Sequence, residues 1–118
     1  MVTIVSSSRY KINRKQIKQF VATVLEEYRI SETHTVNIIF AGKTKLKALA
    51  KTYKNENVAL PVLTFFYNEK SDDELYLGEI LICYPQGVLL AAQKNKGVDE
   101  MILSLVKHGL QNLLSNLS

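Results

Sequence analysis

Apolar positions along the chain fall into two recurrent spacings. Ile17, Phe20, Val21, Val24, Leu25 and Tyr28 recur at intervals of three and four, the one-sided stripe of an amphipathic helix. Asn13 precedes that stripe as an N-cap, with Gln16 three positions on as its capping-box partner. After Gly42 the same spacing returns in Leu46, Leu49, Ala50 and Tyr53, predicting a second helix that buries these four. Residues 36–41 (VNIIFA), 62–67 (VLTFFY) and 75–83 (LYLGEILIC) are rich in β-branched and aromatic side chains and predict strands. Residues 1–5 form a shorter β-prone run, 54–61 a loop containing Pro61, and 68–73 a polar turn. Pro85 suits the first turn of a third helix that Gly97 would terminate. A last helix spans about residues 98–114, with Asp99 and Glu100 against its N-terminal dipole.

The resulting order is β-α-β-α-β-β-α-α. It predicts the α+β class: one four-stranded mixed sheet with helices packed against it. The short connection between the last two strands makes that pair antiparallel. At 118 residues, with no linker rich in Pro, Gly or Ser, a single domain over 1–118 is expected. No apolar stretch approaches the ~20 residues that span a bilayer, and the first ten residues, MVTIVSSSRY, lack the features of a signal peptide. The lone Cys83 cannot form an internal disulfide. A reducing, cytoplasmic setting is therefore expected.

Two stretches carry a family resemblance. Leu77-Gly78-Glu79-Ile80-Leu81-Ile82-Cys83 is close to LGDIVIC, and the segment from His108 to Ser118 (HGLQNLLSNLS) aligns without a gap to HGxLHLxGxDH. The stretch from Tyr53 to Phe65 (YKNENVALPVLTF) likewise parallels YRGKDxPTDVLSF. On these motifs the chain resembles the YbeY-type bacterial ribosomal-RNA maturation factors, a family of zinc-dependent endoribonucleases. The resemblance implies a YbeY-like fold, ribosomal RNA and the small ribosomal subunit as partners, and an assembly GTPase as a further one. It carries the catalytic positions over to Lys54, in place of the family's loop arginine, and to His108.

The metal site is altered. Three imidazoles would hold zinc with one position open for water, and the ion would bring that water's pKa to about 7. Here His108 keeps an imidazole, but Asn112 stands at the second ligand position and Ser118 at the third. An amide and a hydroxyl are poor zinc ligands, so no resident zinc is expected. If Ser118 ends the chain, a His–Asn–carboxylate set could still hold an oxygen-preferring ion such as magnesium weakly. Lys54 loses the planar fork of arginine, and the family's PTD triplet has become Ala59-Leu60-Pro61. His108 and Asn112 read as remnants on a partly buried face beside Met101 and Leu105.

The formal charge of +4 permits an anionic partner without requiring one. Its distribution says more. Residues 43–54 read KTKLKALAKTYK, with five lysines and no acid. Lys43, Lys47, Lys51 and Lys54 recur at helical spacing away from Leu46 and Leu49, a candidate RNA-phosphate contact against the alternative of a solvated basic face. Arg9, Lys11, Arg14, Lys15 and Lys18 form a second, mixed cluster. No interleaved aromatics suggest base stacking, and Tyr10 and Tyr53 read as core or edge residues. Three functions remain open: an RNA-binding assembly factor that has lost hydrolysis, a still-active metal-dependent single-strand endoribonuclease, and a protein-interaction module.

Overall fold

The most apolar segment becomes the strand around which the rest is arranged. The computed structural model describes residues 1–31, 33–72 and 74–117. Its strands are β1 (Val2–Val5), β2 (His34–Ala41), β3 (Val62–Ser71) and β4 (Glu74–Cys83), in the sheet order β1-β2-β4-β3. β4 runs parallel to β2 and antiparallel to β3, and β1 is parallel to β2. As an interior strand, β4 buries Leu77, Ile80, Leu81, Ile82 and Cys83, which explains its nearly continuous apolar run.

Strand alternation divides these residues between two layers. Ile4, Val36, Ile38, Phe40, Ile80 and Ile82 face α1 (Arg14–Glu27) and α4 (Val98–Leu114), which contribute Ile17, Val21, Val106 and Leu110 to the larger core. On the opposite face, Ala41, Leu63, Leu81 and Cys83 lie beneath Leu46 of α2 (Lys43–Lys54). Each such fully buried aliphatic side chain contributes about 1.5–3 kcal/mol relative to exposure. α3 (Tyr84–Gln93) packs on α4, where Gly87 lets Ile102 approach closely: a Cβ there would lie 2.9 Å from its Cδ1. Among the described residues, no helix is long and apolar enough to cross a membrane.

The α+β class and the element order agree with the sequence reading; several boundaries do not. β2 begins at His34 rather than at residue 36. β3 continues through the polar segment to Ser71, leaving Asp72 in a turn before β4, and Asp73 lies outside the described residues. Polar residues suit this outer end because it is exposed to water, while the antiparallel ladder still satisfies its backbone. α3 ends at Gln93, and Gly97 is instead the N-cap of α4. The turn between them carries Asn95 at a φ of 53°, a conformation asparagine tolerates.

Two helix ends also differ from the sequence reading. Asn13 does cap α1, its Oδ1 accepting from the Gln16 N–H at 3.1 Å. Tyr28, however, lies beyond the last helical residue and is exposed. In α2, Leu46 and Ala50 are buried and Leu49 is half-buried, but Tyr53 is 63% exposed. Its position in the last turn carries it past the end of the core.

Candidate nucleic-acid interface

α2 presents one sign of charge to solvent. Lys43, Lys47, Lys51 and Lys54 are all exposed, as is Lys45, and the helix contains no acid to offset them. Lys51 and Lys54 in the last turn complement the negative end of the helix dipole, but Lys43 and Lys45 occupy the first turn, where cations are disfavoured. α4 shows the ordinary arrangement, with Asp99 and Glu100 in its first turn. Part of the lysine face of α2 therefore works against the helix that carries it. Within the second basic cluster, Arg14 is committed elsewhere: its Nη1 donates to the Ile4 carbonyl at 2.7 Å, tying α1 to β1.

Lys54 closes α2 and leads into a loop anchored at its far end. Asn55 ends the helix in the left-handed region, at a φ of 54°. Gln86 Nε2 then donates to the Ala59 carbonyl at 2.6 Å, and the Cys83 N–H donates to the Pro61 carbonyl at 2.9 Å. Ala59 and Leu60 pack on the smaller core. Cys83 is fully buried there; desolvation pushes its thiol up, against the lowering effects of the Gln86 backbone N–H and of Lys43. The departure from the family's PTD triplet thus supplies apolar contacts that hold the loop.

His108 and Asn112 lie one turn apart on α4 and are both exposed, not partly buried beside Met101 and Leu105 as expected. Helical phase accounts for the difference. Gly109 and Leu110 are the residues turned into the core, a Cβ on Gly109 standing 2.4 Å from Ile80 Cγ2, and His108 before them is turned outward. The Asn112 carbonyl accepts from Ser115 Oγ at 2.8 Å and Asn116 Nδ2 at 2.9 Å, closing the helix end. Ser118, the third ligand position, lies outside the described residues. Lys54 and His108 belong to helices packed on opposite faces of the sheet. Among the described residues no group of three His, Cys, Asp or Glu side chains gathers to hold a metal ion.

The face of the sheet that carries α2 is only half covered. Beyond the helix, Thr3, Asn37, Glu79 and Phe65 form one cross-strand row. The Tyr67 hydroxyl donates to Glu79 Oε1 at 3.1 Å, and Asn37 Nδ2 donates to the Tyr76 hydroxyl at 3.2 Å. Tyr67 and Tyr76 stack with ring centroids 5.5 Å apart, and Tyr53 meets Phe65 edge-on at 5.2 Å. Sequence reasoning missed this group because its members come from five separated elements. The available signal was Asn37, a polar residue inside an otherwise apolar strand.

Burial, then the charge of Glu79, pushes the Tyr76 phenol up to about 12 from 10.0, against the opposing Asn37 hydrogen bond. Partial burial, then the bond to Glu79, raises Tyr67 in the same direction. A raised phenol ionises more readily in the unfolded chain. Its stabilising contribution is therefore complete below pH 10.0 and is lost between pH 10.0 and about 12. Urea midpoints should fall across that window, and Tyr76→Phe should flatten the fall; an identical slope in that variant would contradict the assignment.

Comparisons with known proteins agree with this architecture. The family model described as Endoribonuclease YbeY matches residues 3–115. An Endoribonuclease YbeY from Janthinobacterium is 33% identical over 75 residues, covering 64% of this chain and 49% of the relative. One from Dehalococcoides mccartyi is 25% identical over 112 residues, covering 83% and 65%. The chain thus spans about half to two thirds of the length of these two relatives. The solution structure of a Thermotoga maritima protein superposes with a TM-score of 0.62 at 23% identity, covering 96% of this chain and 71% of the other, a likeness of fold. With the match extending over nearly every residue from the first strand to the end of the last helix, the chain belongs to the YbeY endoribonuclease family.

Proposed function

We propose that this protein contacts ribosomal RNA as a YbeY-type maturation and ribosome-assembly factor in which the family's metal-dependent hydrolytic site is largely lost. The observation that carries the RNA contact is the exposed, acid-free lysine face of α2, retained although its first-turn charges oppose the helix dipole. Phosphates along an RNA strand would relieve that repulsion and release their own counterions. In this reading Lys43, Lys47, Lys51 and Lys54 are the RNA-binding residues, and Lys54 also takes the place of the family's loop arginine. In the same reading the small ribosomal subunit, with an assembly GTPase, is the partner.

The donor set on α4 supports the loss of hydrolysis. His108 offers one imidazole and Asn112 a neutral amide oxygen, so the residues present do not fit a three-nitrogen zinc site. A second reading, a still-active endoribonuclease, is favoured by one feature: His108 keeps an exposed imidazole at the family's first ligand position.

One preparation tests both readings. Untagged protein should carry zinc well below one ion per chain and should bind small-subunit RNA equally with and without chelator. His108→Ala should leave that binding unchanged. Near-stoichiometric zinc, or RNA cleavage abolished by chelator and by His108→Ala, would overturn the loss of the site in favour of the second reading. Absence of RNA binding at low salt would overturn the proposal as a whole.

A further inference from the structure

We infer that the uncovered half of the sheet is a base-stacking platform for unpaired RNA, with Tyr67 and Tyr53 as its contact residues and α2 holding the phosphates alongside. The inference rests on the RNA contact proposed above and adds to it a means of preferring single strands over duplex. Tyr53 is 63% exposed and Tyr67 43% exposed. Their partners Phe65 and Tyr76 are half-buried, so each exposed ring is steadied by a second ring beneath or beside it. A ring ordered before binding loses little entropy when a base stacks on it.

Charge complementarity determines the occupant. Tyr53 lies between Lys51 and Lys54 in the last turn of α2, so the aromatic group begins where the cationic face ends. An apolar peptide would gain nothing from those lysines. An RNA strand satisfies both features, with phosphates on the helix and bases on the rings. The acids set the direction. Glu79 lies within the platform, and Glu69 and Glu74 lie toward the hairpin end of β3 and β4. The backbone must therefore follow α2, leaving the bases to extend over the sheet, where the Glu79 carboxylate can accept from an exocyclic amine. Beside Tyr76 a cavity of about 260 Å³, lined by Thr35, Asn37, Ser71 and Glu74, offers further polar edges.

The test compares a labelled unpaired oligoadenylate with a duplex of equal length, using the full chain and fluorescence anisotropy at constant salt. Tyr67→Ala and Tyr53→Ala should each weaken single-strand binding by roughly 5- to 150-fold, the range for loss of one stacked base. Neither should alter duplex binding or the dependence on salt. Tyr67→Phe should retain binding, because the π-face and not the hydroxyl makes the contact. Tyr53→Ala, at an exposed helix end, keeps the test decisive if the strand variant folds poorly. Wild-type protein that binds single strands with steep salt dependence but is indifferent to Tyr53→Ala and Tyr67→Ala would sink the platform and leave the lysine contact standing. Wild-type protein that binds neither oligonucleotide would instead remove the RNA reading on which the platform rests.

Discussion

Gly78→Ala should lower the unfolding free energy by about 3 kcal/mol or more and the melting temperature by roughly 10 °C or more. Gly78 has a φ of 155°, which side-chain-bearing residues rarely adopt. A Cβ there would stand 2.0 Å from the Phe65 carbonyl oxygen and 2.9 Å from Leu113 Cδ1. The first obstacle is backbone in the adjoining strand, so rotation of a side chain cannot relieve it. The site is also where both ladders change register: Val36 pairs with Gly78 after Thr35 has paired with Tyr76, and β3 shifts between Phe66 and Glu69. The bulge needs its glycine.

Two controls accompany that measurement. Gly109→Ala should cost about 1–3 kcal/mol, because its Cβ would overpack against the Cγ2 methyl of the buried Ile80, a side chain and not the backbone. Gly97→Ala, whose Cβ would meet nothing within 4 Å, should stay within about 1 kcal/mol of wild type. Equal melting temperatures for Gly78→Ala and Gly97→Ala would show that the strand pairing at Gly78 differs from that described.

Removing the cationic face has the largest expected effect on binding. With Lys43, Lys47, Lys51 and Lys54 all changed to Gln, the logarithmic salt slope should become shallower by about 3. That figure follows from ~0.7 ions released per phosphate contact to a single strand. Extrapolated to 50 mM salt, affinity for unpaired RNA falls on the order of 10³-fold. Stability should hold or rise slightly, since like-charge pairs one turn apart repel by a few tenths of a kcal/mol. The two readouts therefore move independently. An unchanged salt slope in this variant would mean that α2 carries only a solvated face. A loss of binding with loss of fold would show as a lowered thermal midpoint, which the helix energetics argue against.

Much of the fold was legible because local rules and tertiary packing agreed. The stripe of Ile17, Val21 and Leu25 marked the buried side of α1, and Asn13 marked its start. The run from Leu77 to Cys83 was apolar at nearly every position because an interior strand is covered on both faces. The motif around His108 was likewise readable from linear order, since ligand positions one helical turn apart need only correct spacing. What spacing could not reveal was phase against the sheet. Gly109 turns inward and His108 outward, so a face expected to be partly buried is exposed.

The sequence alone determined the element order, the family and the donor types on α4, because each depends on near neighbours or on residue identity. Only the tertiary structure decided what assembles across distance. Tyr53, Phe65, Tyr67 and Tyr76 are scattered over a helix and two strands, and they read individually as core or edge residues. Register and the incomplete cover of one sheet face bring them together beside the lysines of α2. Chain order cannot encode which half of a sheet a helix leaves open; that depends on how far α2 reaches across strands that come together from separate parts of the sequence.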